Sequence, residues 1–157
     1  MPRILSKFHA FTPLLLVALL ALLGGCEPKS VSGLATVPME IGNKTFRLEV
    51  ADRTDSRTYG LMRRDSMPAD HGMIFVFDKE EQRGFWMKNC RIPLDIIFLD
   101  AGGKVVSVKQ MKPYDLSSTP SDGPAQYAIE LNKGAAEGAG VKPGMTLKIP
   151  PGLSSKD

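Results

Sequence analysis

Leu94-Asp95-Ile96-Ile97-Phe98-Leu99 limits what this chain can fold into more than any other stretch. Its β-branched and aromatic residues mark a strand. Ile96 to Leu99 is apolar on both alternating faces, so the strand belongs inside a sheet covered on both sides. Asp95 stands at the mouth of that strand, where a charge about to be buried needs a partner. Just before it, Gly84-Phe-Trp86-Met-Lys88-Asn89-Cys90-Arg91 and Pro93 gather cations, an amide and the single tryptophan into a turn or strand end.

The N-terminus belongs to a different process from folding. Arg3 and Lys7 precede the apolar run Leu14 to Leu23, then Gly24-Gly25-Cys26, the order of a bacterial signal peptide over residues 1–25. The ten-residue apolar core is short for a membrane span of about 20 residues. Cysteine directly after small residues resembles a lipobox, which implies cleavage before Cys26 and a lipid on its thiol. Glu27 is not the aspartate of inner-membrane retention, so the periplasmic face of the outer membrane is the expected location in a Gram-negative cell. Without the leader, 18 Lys and Arg face 17 Asp and Glu, a balance that gives no footprint for nucleic acid. With Cys26 acylated, Cys90 has no disulfide partner in the chain.

Residues 26–35 read as a flexible tether, 36–150 as a single domain and 151–157 as a flexible tail. Thr36 to Ile41 and Thr45 to Val50 flank Gly42-Asn43 as a hairpin, its first strand confined to an edge by Pro38. A helix is predicted over about 53–63, capped by Asp52 or Thr54, with Gly60 inside it for close packing. Met73 to Phe77 reads as a buried strand ending in a charged turn over 78–84. Further strands follow at Lys104 to Gln110, Tyr127 to Leu131 and Met145 to Ile149, with a helical turn over about 133–139. Residues 111–125 hold three prolines and no periodicity, and read as a loop. The expected class is mainly β (α+β): a compact antiparallel sheet or rolled barrel with one short helix.

Gly60-Leu-Met-Arg-Arg64, Gly72-Met-Ile-Phe-Val-Phe77, Phe85-Trp-Met-Lys-Asn89 and Ile92-Pro-Leu-Asp-Ile-Ile-Phe98 occur in this order. Together they resemble the DUF192 family over about Pro38 to Ile149. The resemblance implies a compact β-rich domain, often secreted or membrane-anchored, and carries no reaction. It also implies that threonine commonly stands where this chain has Cys90.

Arg64, Trp86, Lys88, Asn89, Arg91 and Asp95 form the candidate ligand-binding set. In one reading a guanidinium grips an anionic group beside the Trp86 wall; in the other, Asp95 and an arginine only close the sheet. Asp95 with Glu130 is a conceivable carboxylate pair for hydrolysis, and Cys90 with His71 a conceivable nucleophile pair. Met62, Met67, Met73 and Met87 suit a copper ion less well than core packing, and no repeated Cys or His pairs point to zinc. No cofactor is expected. The functional classes left open are a binding or envelope-associated module, taking a small ligand or an envelope partner, and an enzyme of hydrolase type.

Overall fold

The computed structural model describes residues 32–157. The expected signal segment 1–25, Cys26 and most of the 26–35 tether lie outside the described residues.

The elements follow as β1 (Thr36–Ile41), β2 (Lys44–Ala51), α1 (Thr54–Tyr59), β3 (His71–Phe85), β4 (Leu94–Leu99), β5 (Val105–Met111), β6 (Thr119–Asn132) and α2 (Ala135–Gly138). The six strands make one sheet in the order β1-β2-β3-β6-β4-β5. The β-rich class is as the sequence implied, but the sheet is open rather than rolled into a barrel. It is also mixed, because β2 and β3 run parallel while every other pair is antiparallel. Parallel neighbours need a crossover, and residues 52–70 supply it, carrying α1 over one face of the sheet.

β4 is buried at all six positions between β5 and β6. Side chains alternate between two apolar layers. One contains Leu48, Ile74, Ile97 and Ile129, and the other Met73, Phe75, Ile96 and Phe98. Each of these large side chains, once buried, stabilises the fold by about 2 kcal/mol. The β1–β2 hairpin turns through Gly42-Asn43, and Gly42 takes φ 60°, a conformation suited to glycine. Pro38 lies on the edge strand, where its missing N–H costs nothing.

Several elements depart from expectation. The strand over 73–77 and the charged turn after it are one 15-residue strand, β3. Register breaks between Val76 and Glu81, and between Gln82 and Gly84, keep its far end paired to β6. That pairing recruits Thr119 to Ala125 from the expected 111–125 loop. Pro120 and Pro124 stand beside those breaks, where the ladder is already interrupted. Met145 to Ile149 adds only one bridge, between Lys104 and Thr146.

The helix is shorter than 53–63 because Gly60 ends it at φ 50° and ψ −133°, a shape other residues resist. A Cβ at Gly60 would lie in van der Waals contact with the Phe75 ring at 3.4 Å, so the backbone conformation and not space selects glycine. Neither Asp52 nor Thr54 caps the helix. The Thr54 amide instead donates to Asp157 Oδ1 at 2.8 Å. The 151–157 segment is thus bound rather than free: Asp157 also pairs with Arg57, and Lys156 with Asp52 at 2.6 Å.

Candidate functional site

The register sets Glu49, Met73, Glu130, Ile96 and Lys109 side by side across β2, β3, β6, β4 and β5. All five project to the face that the 52–70 crossover covers. Glu49 is nearly sealed and receives both guanidinium nitrogens of Arg64 at 2.6 and 2.7 Å. Glu130 is 3% exposed, and its carboxyl makes no hydrogen bond or ion pair with any described residue. Burial pushes this carboxyl up to about 8, against the opposite pull of the Arg64 charge.

Above Glu130 the surface opens into a cleft of about 290 Å³. Tyr59, Gly60 and Met62 form one side, where α1 has stopped; Phe75, Phe85 and Trp86 form the other. Phe85 meets Phe75 edge-on at 4.9 Å and Phe98 at 5.6 Å, which fixes the aromatic wall. Tyr59 and Trp86 stand half-exposed at the mouth. Cys90 lies deep in the same cleft, its thiol pushed up to about 11 by burial and then by Glu130. Such a thiol carries almost no thiolate at neutral pH.

The rim is held by strained backbone. Arg63, Asn89 and Tyr114 have φ near 60°, and they are the three non-glycine residues so placed among those described. The Arg63 amide donates to the Asn89 carbonyl at 2.8 Å, and the Tyr114 amide to the Cys90 carbonyl at 3.2 Å. Arg91 pairs with Asp65 at 2.6 Å, joining the crossover to the same turn. Lys88 Nζ lies 5.2 Å from the centre of the Trp86 ring.

The candidate set is thereby divided. Trp86 alone of the set lines the cleft; Lys88 lies over its ring, Asn89 Nδ2 approaches Met62 Sδ at 3.9 Å, and Arg91 braces the same turn through Asp65. Arg64 belongs to Glu49, so the guanidinium expected to grip an anion is already engaged. Asp95 faces the other way: it sits opposite Leu131 while Glu130 sits opposite Ile96, so the two carboxyls emerge on opposite faces. Asp95 Oδ2 accepts from the Ala136 amide at 3.0 Å, and Oδ1 has no partner. Its partner is therefore a main-chain donor at the start of α2, not a cation. A hydrolytic Asp95–Glu130 pair is ruled out by that geometry. His71 is bound to Asp70 at 2.8 Å and lines a second hollow, away from Cys90. Met67, Met73 and Met87 are buried packing. Among the described residues, no group of three His, Cys, Asp or Glu side chains is placed to hold a metal ion.

The second hollow, about 980 Å³, lies on the other side of the Tyr59–Met62 segment. Within it Arg64 pairs with Glu49 and His71 with Asp70, while Arg47, Asp55 and Arg63 also line it. The smaller cleft is the one with a buried polar group left open.

Sequence reasoning raised Glu130 only as a hydrolytic partner of Asp95 and missed it as a binding residue, because Tyr127, Ile129 and Leu131 alternate with Ala128 and Glu130 as if one face met water. Apolar Ala128 on the supposedly wet face was the available signal. Glu49 was missed likewise, opposite Phe46, Leu48 and Val50.

A family model described as "Uncharacterized ACR" matches residues 37–149. A Novosphingobium aromaticivorans protein of unknown function is similar in structure, with a TM-score of 0.68 and 33% identity, covering 76% of this chain and 89% of that one. A Sinorhizobium meliloti protein described as a proposed transcription regulator has a TM-score of 0.63 and 32% identity, covering 72% and 90%. No curated protein matches.

Proposed function

Because the chain belongs to the DUF192 family, whose members offer a fold and no reaction, we propose from its own site that it is a small-ligand-binding module. A lipid on Cys26 holds it at the cell envelope, facing the periplasm. The cleft between Tyr59 and Trp86 is the binding site. One observation carries this reading: Glu130, 3% exposed, lines an open aromatic cleft, and its carboxyl makes no hydrogen bond or ion pair with a described residue. A buried polar group left unsatisfied lowers stability, and a ligand reaching it recovers that loss as affinity. The size is at the small end for ligand pockets, of order 300 Å³. A hydrolase reading is weaker, since Cys90 is a protonated thiol and Glu130 lacks a second carboxylate.

Two experiments test the two parts. Fragments screened against the protein should raise its melting temperature and shift Trp86 fluorescence, with both effects lost in Glu130→Gln. Hits indifferent to that change would place binding elsewhere. For the anchor, Cys26→Ser should leave an unprocessed precursor; normal processing and membrane partition of that variant would rule the lipid out.

A further inference from the structure

We propose that the ligand of this cleft is an organic cation, an ammonium or amidinium on a flat apolar body, with Glu130 as its counter-ion. The inference rests on the binding reading above and adds the chemical class.

Three features converge. First, a buried carboxylate persists only beside a close positive charge or several donors; Glu130 makes no hydrogen bond or ion pair with a described residue, and the Arg64 charge that acts on it is held by Glu49. Second, the walls are π-faces. Phe75, Phe85 and Trp86 can contact a flat body, and cations are attracted to such faces. Third, the cations packed against Glu130 are already matched, and Lys88 is turned to the Trp86 ring. On the crossover, Arg64 is held by Glu49 of β2. On α1, Arg57 is held by Asp157 and by the Val76 carbonyl. On β5, Lys109 is held by Asp122 at 2.6 Å. The Cys90 thiol is neutral and Lys88 lies out over Trp86. An anion entering the cleft would meet a carboxyl and no free guanidinium. A cation would meet the one acid without a partner.

Binding then has a proton balance. Glu130 is a neutral acid in the empty cleft at pH 7 and a carboxylate in the complex, so one proton leaves to solvent for each cation bound. Affinity should rise with pH and level off above about 8, where the empty site is already ionised.

The test uses three probes of one shape on the full chain in non-ionic detergent: benzamidine (cation), benzamide (neutral) and benzoate (anion). Trp86 fluorescence and calorimetry report binding. Benzamidine should bind best, weaken by about tenfold per pH unit below pH 8, and lose about thirtyfold or more in Glu130→Gln. The melting curve of that variant establishes that it is folded, and the pH series on the unmutated protein tests the proposal independently. If benzamide or benzoate binds as well as benzamidine, or if benzamidine ignores pH and Glu130→Gln, the cation assignment falls while the cleft remains a binding site. If none of the three binds and the fragment screen also yields no hit that depends on Glu130, both readings fall together.

Discussion

Asp95 and Glu130 invite comparison, since they lie on adjacent strands, one position out of register, each almost sealed from water. Their surroundings differ. The face above Asp95 is closed by α2, which sends the Ala136 amide to the carboxylate. The face above Glu130 is crossed by α1, which stops at Gly60 and leaves a gap lined by rings. Burial is the same in both cases, and only the covering element separates a structural acid from a site acid. A depth criterion alone would have chosen both.

Four variants break or sharpen that contrast, from the largest effect down. Arg64→Met removes both guanidinium bonds to the buried Glu49 and leaves it the Ser32 hydroxyl; it should cost up to about 3 kcal/mol in urea denaturation, and a loss below about 1 kcal/mol would mean the pair is solvated. Glu130→Gln should abolish a pH dependence. Glu130 is neutral when folded up to about pH 8, yet ionises near 4.5 when unfolded, so its contribution is full below 4.5 and lost as pH rises to 8. The variant should therefore exceed the parent at pH 9 by something on the order of 3 kcal/mol. Parallel stability profiles for the two proteins would contradict this. On the closed face, Asp95→Asn keeps an acceptor for the Ala136 amide and should lose only about 1 kcal/mol, with no change in ligand response. A lost response would join the two faces functionally. Smallest of all, Cys90→Thr should shift stability by about 1 kcal/mol. The native thiol, held up to about 11, should alkylate far more slowly at pH 7.5 than in the unfolded chain.

Much of this architecture was legible in the sequence because it rests on local rules. Ile96 to Leu99 announced a two-faced sheet, Gly42-Asn43 a hairpin, and Pro38 an edge strand. The site was legible only at its rim, in Trp86, with Lys88 and Asn89 beside it in one short turn. Its floor was legible only as one half of a wrong pair, Glu130 with Asp95, because Glu130, like Glu49, occupies the polar position of an alternating strand. Whether such a position meets water depends on a crossover from a distant part of the chain, which periodicity does not encode. The partner of Arg64 was hidden for the same reason, and so was the binding of residues 151–157 to α1.

The strand order has a kinetic consequence. β6 is the last strand to be made and lies between β3 and β4. Until residue 132 is available, the β1–β2–β3 and β4–β5 halves have nothing to join them, and neither apolar layer can close. Long-range pairing of this kind is slow to nucleate. Synthesis therefore delivers a sheet that stays in two open halves, with both apolar layers exposed, until β6 has been made.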